Sequence, residues 1–238
     1  MKYNKETIMK TLEHYKNELE KDGHTVLYIG LYGSNNYSLD DEHSDIDAKA
    51  IVMPSLENII FKKVVSSVRE FETGAVDYKD LVTFYNVIKK GNFSFTEPFH
   101  TDYYIGDEYF RFLFSQIETN LMGIMGGMME KRKALTHEYP SKKEEFEKYG
   151  CDPKQFHHIL RLYDLLFSSD IAANPTLPYL DYCGSEMQEF MVKIKREMCE
   201  YTLEEMIEEA EQKITEVKEY LKGLNYKYQE KNFDKEIC

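Results

Sequence analysis

The sequence predicts an α/β (α+β) protein: a small mixed-sheet domain followed by an all-helical domain. Three observations carry this expectation. Up to about residue 105, helix-spaced stretches alternate with short β-branched and aromatic runs. From about Asp107 onward the pattern becomes long helical stretches with no strand-like run between them. The chain has 238 residues, 42 % of them apolar and 31 % charged. That is ordinary for a folded chain that buries a core without disulfide staples. The expected domains are therefore 1–105 and 106–238.

The elements follow in order. Residues 3–21 place Ile8, Leu12, Tyr15 and Leu19 three to four apart, a helical spacing that Asp22-Gly23 ends. HTVLYIGLY (24–32) reads as a buried strand. Residues 33–44 form a polar connection, and DIDAKAIV (45–52) a second strand stopped by Met53-Pro54. Ser55 is placed to cap a short helix, SLENIIF. Residues 64–71 and 75–78 read as a strand pair around Thr73-Gly74, and 80–90 as an amphipathic helix ended by Gly91-Asn92. Beyond residue 105 the expected helices span 108–136, 153–167, 184–199 and 202–221, with Asn174–Pro178 as the clearest break and a polar tail from Asn225.

Charge narrows the function. There are 30 Lys+Arg against 43 Asp+Glu, a net −13. The first 105 residues carry 12 against 17 and the remainder 18 against 26, so neither half is basic. Such a chain is not expected to bind duplex DNA non-specifically, which needs clustered Lys and Arg to displace counterions. It is compatible with phosphate chemistry through metal ions. Cys151, Cys183, Cys199 and Cys238 form no Cys-x-x-Cys pair. The N-terminus lacks the apolar core of a signal peptide, and no apolar run reaches the roughly 18 residues of a membrane helix. A cytoplasmic setting with reduced thiols, away from membranes, is expected.

The stretch that carries chemistry is Gly33-Ser34, then Asp45-Ile46-Asp47. Gly33 permits close backbone approach, and Ser34 offers a hydroxyl and an amide to a phosphate. In a strand, side chains at i and i+2 share a face, with carboxylates about 7 Å apart. Two such carboxylates repel unless cations lie between them, and Mg²⁺ favours a few carboxylates with substrate phosphate oxygens. Asp77, on a later strand, can bring a third carboxylate to the cluster. Asp80 is the alternative third carboxylate but reads better as a helix N-cap.

Gly33-Ser34, Asp45-x-Asp47 and Asp77 resemble the signature of the DNA polymerase β-like nucleotidyltransferase superfamily. Within it, the chain resembles the branch of predicted nucleotidyltransferases linked to RNA repair. Ser44-Asp45-Ile46-Asp47 with Lys49, VDYKDLVTF, Lys90-Gly91-Asn92 with Glu97, and Lys154, His158 and Arg161 with Leu162 carry that second likeness. Tyr37 is followed by Ser38 where the branch often has Gly, and Gln155-Phe156 replaces a frequent His-Ala.

The resemblance implies transfer of a nucleoside monophosphate from an NTP, ATP foremost, to an acceptor hydroxyl, with release of pyrophosphate. It implies two Mg²⁺ ions, or Mn²⁺ in their place, held by Asp45, Asp47 and Asp77. Asp77 would hold the ion near the attacking oxygen and take its proton. Gly33, Ser34, Tyr37, Lys90, Asn92, Lys154, His158 and Arg161 are the expected nucleotide-binding residues. The expected acceptor is an RNA or tRNA end. The alternatives are an antibiotic-type small molecule, a protein hydroxyl, or a catalytically silent nucleotide-binding module. The helical part is expected to cover the nucleotide side, with the site in the cleft between the two parts.

Lys154, His157, His158 and Arg161 also fall at i, i+3, i+4 and i+7, one helical face, and a basic stripe on an acidic chain suggests an anion. Lys193, Lys195 and Arg196 form a second basic cluster that reads as charged surface. The Met122–Met129 stretch with Gly123, Gly126 and Gly127 reads as helix packing.

Overall fold

The computed structural model describes residues 2–167, 171 and 181–228. The expected Asn174–Pro178 break and the tail beyond residue 228 lie outside the described residues. The fold is mixed α+β, with a five-stranded mixed sheet in the N-terminal part and helices in the C-terminal part. The described residues fall into two compact units, one of 2–119 with 181 and one of 120–167, 171 and 182–228.

In the first unit, α1 (Lys5–Lys21) starts at Asn4, whose side chain accepts the Thr7 amide, and buries Ile8, Leu12, Tyr15 and Leu19. The strands are β1 (Thr25–Tyr32), β2 (Asp47–Met53), β3 (Ser66–Phe71), β4 (Gly74–Asp80) and β5 (Tyr104–Gly106), in the order β3-β4-β2-β1-β5. β1 pairs antiparallel with β2 and β5, β3 pairs antiparallel with β4, and β2 pairs parallel with β4. The parallel pair is connected through α2 (Leu56–Ile60), capped by Ser55, and β3.

Strand alternation gives the sheet two different faces. Ile29 and Leu31 of β1, Ala48 and Ala50 of β2, and Val76 of β4 pack with the α1 stripe. The opposite face carries Tyr28 and Ile51 beneath an aromatic cluster. Its members are Phe84 of α3 (Leu81–Ile88), Phe95 of α4 (Phe93–Thr96), Phe99, and Phe114 of α5 (Glu108–Ser115). Gly30 lets this layer close, since a Cβ there would stand 2.7 Å from the Pro98 carbonyl oxygen. β5 is only three residues long, too short for a period-2 signal to register.

The second unit contains α6 (Leu121–Leu135), α7 (Lys143–Tyr149), α8 (Pro153–Phe167), α9 (Gln188–Ile194) and α10 (Leu203–Gly223). α6, α8 and α10 pack on one another. Thr202 and Glu205 close a capping box at the start of α10. The helix expected over 108–136 is two helices, because Asn120 caps a new start by accepting the Met122 amide at 3.0 Å. The helix expected over 184–199 shrinks to α9, since Gly184 (φ 70°) and Cys199 (φ 52°) take left-handed conformations. Of the stretch expected to pack, Met128 is buried in α6 beside Ile124, whereas Met122 and Met129 are exposed. No disulfide forms among the described residues, and no helix among them is long and apolar enough to cross a membrane.

Candidate active site

The site is built at the junction of β1, β2 and β4. β1 ends at Tyr32, and Gly33 (φ 85°) turns the chain into a short 3-10 turn, Ser34–Asn36. The Ser34 carbonyl accepts the amides of Tyr37 (3.1 Å) and Leu39 (3.0 Å), so the turn is closed on itself. Asn35 Nδ2 donates to the Asp45 carbonyl at 2.6 Å and ties the turn to the start of β2. A Cβ on Gly33 would stand 3.5 Å from Asp47 Oδ2, so the glycine turn and this carboxylate face each other directly.

The Asp45–Asp47 segment is clamped through its central peptide. The Ile46 amide donates to the Thr73 carbonyl at 2.8 Å, and the Ile46 carbonyl accepts the Tyr15 hydroxyl at 3.0 Å. Gly74 (φ 148°) is required beneath it, because a Cβ there would collide with the Ile46 backbone. Burial pushes the Tyr15 phenol up to about 12, and the charges of Asp47 and Asp45 add to the shift. Asp45 precedes the strand and is exposed, while Asp47 opens it half-buried, its Oδ1 accepting the Ala75 amide at 3.2 Å.

Register then places the rest. Lys49 stands opposite Asp77 in the parallel β2–β4 pair, so Asp47, Lys49 and Asp77 share one face of the sheet. It is the face that carries the aromatic cluster, not the face covered by α1. Asp77 accepts from Lys49 Nζ at 3.4 Å and from Lys79 Nζ at 3.3 Å. The Lys49 side chain is only 10 % exposed. Its Nζ lies 3.7 Å from the Phe95 ring centroid and 4.5 Å from that of Tyr32, and it reaches Ser94 Oγ at 3.4 Å. Burial pushes its pKa below the ordinary lysine value, and the Asp77 charge opposes that shift. Asp80 points to the other face, buried as the N-cap of α3. It accepts the amides of Thr83 and Val65, both at 2.7 Å.

Among the described residues, no three His, Cys, Asp or Glu side chains converge as a preformed metal cage would. Mg²⁺ does not use such cages: it keeps several waters and takes one or two carboxylates together with substrate phosphates. The hard oxygen donors Asp45 and Asp47, beside the Gly33 turn, fit that mode of binding.

No family model and no curated protein matches the chain. Among solved structures, it aligns with a nucleotidyltransferase-like protein from Exiguobacterium sibiricum over 90 % of this chain and 75 % of that one. The TM-score is 0.32 and the identity 12 %, a likeness too slight to carry an argument about chemistry.

The remaining expected residues are placed as follows. Tyr37 is buried, and its hydroxyl donates to Glu97 Oε2 at 2.5 Å, with Glu97 itself fully buried. Asn92 caps α4, accepting the Ser94 amide at 3.1 Å and hydroxyl at 2.9 Å, and so positions the Ser94–Phe95 pair over Lys49. Lys90 is exposed just before the Gly91 turn. Ser38, at the place where the resembled branch often has Gly, takes φ 57°, a conformation glycine adopts without strain.

Lys154, His158 and Arg161 belong to α8 in the second unit. Arg161 and His157 are buried, and Lys154 and His158 half-buried, so the basic stripe is not a solvated face. His157 Nδ1 lies 2.8 Å from the Met191 carbonyl of α9. Burial, aided by the charges of Arg161, Lys195 and Lys154, pushes its pKa down to about 3. Burial likewise pushes His158 well below the ordinary value. In the second basic cluster, Lys193 is surface, paired with Glu189 at 2.6 Å, whereas Lys195 is buried rather than surface.

Ser94 and Phe95 are site residues that the sequence did not single out, and Lys49, although part of the Ser44–Asp47 likeness, was given no role there. A signal for Lys49 was present: a lysine two residues beyond Asp47 in an otherwise apolar strand must share that carboxylate's face.

Proposed function

We propose that this chain is a Mg²⁺-dependent nucleotidyltransferase that moves a nucleoside monophosphate from an NTP, ATP foremost, to the hydroxyl of an RNA end. The observation that supports this reading is that Gly33 faces Asp47 at close range while Asp77, across from Lys49, lies on the same sheet face as Asp47. Bound Mg²⁺ would neutralise and orient the triphosphate. Asp45 and Asp47 would hold it, with the Ile46 peptide between them clamped by Tyr15 and Thr73. The Gly33 backbone and the Ser34 amide and hydroxyl take the β- and γ-phosphates. The acceptor oxygen bonds to the α-phosphorus as the bond from that phosphorus to the bridging oxygen breaks. The bond electrons leave with pyrophosphate, and the acceptor's proton passes to Asp77. Positioning and charge neutralisation supply most of the acceleration in such displacements.

The test is incubation of the protein with each α-³²P-labelled NTP, Mg²⁺ and a total cell extract, followed by separation of RNA, protein and small molecules. Label in RNA, with pyrophosphate released, is the expected result. Label confined to protein or to small molecules overturns the RNA-end acceptor and leaves nucleotidyl transfer standing.

A further inference from the structure

Asp77 has a different setting from Asp45 and Asp47. Two ammonium groups, Lys49 and Lys79, lie 3.4 Å and 3.3 Å from its carboxylate oxygens. Lys79 is also fixed, donating to Ser66 Oγ at 2.8 Å. Lys49 is anchored harder: it is nearly buried, spanned by the Phe95 and Tyr32 rings, and bonded to Ser94 Oγ. The Glu97 carboxylate adds to the negative field that holds its charge.

We propose that the Lys49 ammonium, with Lys79 beside it, takes the place of a second divalent cation at Asp77, so that the transferase works with a single Mg²⁺ at Asp45 and Asp47. This rests on the nucleotidyl-transfer reading above. Both carboxylates of the shared face are thereby accounted for. Asp47 looks toward the Gly33 turn, where phosphate enters, and Asp77 is already charge-balanced by side chains. A divalent ion ligated by Asp77 would stand within ion-pair range of two ammonium groups, and like charges repel most strongly where water is excluded. Nor can Lys49 move aside cheaply. Taken from Asp77, it would be a buried cation between two rings without its nearest anion. The pair of ions expected from the sequence thus becomes one ion and one fixed ammonium, and Asp77 becomes a lysine-held carboxylate facing the acceptor oxygen.

The experiment counts Mn²⁺ bound per full-length chain, by electron paramagnetic resonance of the unbound ion, at saturating α,β-methylene-ATP. One Mn²⁺ per bound nucleotide is expected. Two Mn²⁺ overturn the single-ion inference and leave the transferase reading intact, whereas failure of the nucleotide to bind overturns both. Lys49→Met, which keeps the packing against Phe95 and Tyr32 but removes the charge, is expected to raise the count from one to two. A folded Lys49→Met protein that still binds one overturns the role given to Lys49. Lys49→Arg keeps the charge and is expected to stay at one. A second ion in that variant overturns the proposal even if Lys49→Met does not fold.

Discussion

The carboxylate rim of the sheet and the basic stripe of α8 both stand out in the sequence as clusters of charged side chains, yet they are built in opposite ways. Asp45 is exposed and Asp47 half-buried at a strand start, held from behind by backbone: Tyr15, Thr73 and Gly74 grip the Ile46 peptide between them. In the α8 stripe His157 and Arg161 are buried, and His157 bonds the backbone of α9. Strand periodicity leaves the rim side chains reachable by a ligand. Helical periodicity aligned the α8 residues equally well, but two of the four, His157 and Arg161, are buried. A shared face therefore says which side chains act together. Whether the face meets solvent depends on what packs over it.

Three substitutions can break or sharpen that contrast. Gly74→Ala has the largest expected effect on stability. A left-handed φ and a collision with the Ile46 backbone together cost about 3 kcal/mol or more, and the rim is distorted with it. Urea unfolding measures the loss, and a wild-type unfolding midpoint would show that the clamp does not govern the rim.

His157→Ala comes next. Losing a buried ring and its bond to Met191 costs about 2–4 kcal/mol, read from hydrogen exchange of α8 amides. The same side chain sets an acid dependence. Its folded pKa, about 3, lies below the ordinary value of 6.5, so below pH 6.5 the unfolded chain binds the extra proton. Stability is fully present above pH 6.5 and falls as the pH drops toward 3. His100 in the sheet unit, pushed down to about 4 by burial with Arg111 adding, contributes with the same sign. The α8 amides of His157→Ala should therefore start less protected at pH 7 and lose less on acidification. An unchanged acid slope would contradict the buried-stripe account.

The smallest effect belongs to Ser38→Gly. It relieves a positive φ at the cost of backbone entropy and a buried hydroxyl, so the melting free energy should move by no more than about 1 kcal/mol.

Much of this was legible from residues alone. Ile8, Leu12, Tyr15 and Leu19 marked α1, Ser55 and Asp80 marked their helix starts, and 153–167 was readable as one helix. These signals are local, being spacings and caps. What escaped was set by tertiary contact or was too short for a period. β5 exists because β1 offers an edge to Tyr104–Gly106. α7 has no apolar stripe long enough to read, and the break at 116–120 depends on one capping asparagine. At the site, the two aspartates and the glycine turn were visible as a motif. Lys49 and Lys79 stood in the quoted stretches as well, but the Lys49–Asp77 pairing did not show there, because it is fixed by the β2–β4 register.

The central claim, that the rim transfers nucleotides, is tested most directly by comparing pyrophosphate release from labelled ATP, with Mg²⁺ and cell extract, in the wild type and in Asp47→Asn. The variant keeps an oxygen for the Ala75 amide, so its melting temperature should stay near that of the wild type. Its release should fall by about a hundredfold or more, as expected for loss of a metal-holding carboxylate. Equal release from the two proteins would contradict the account.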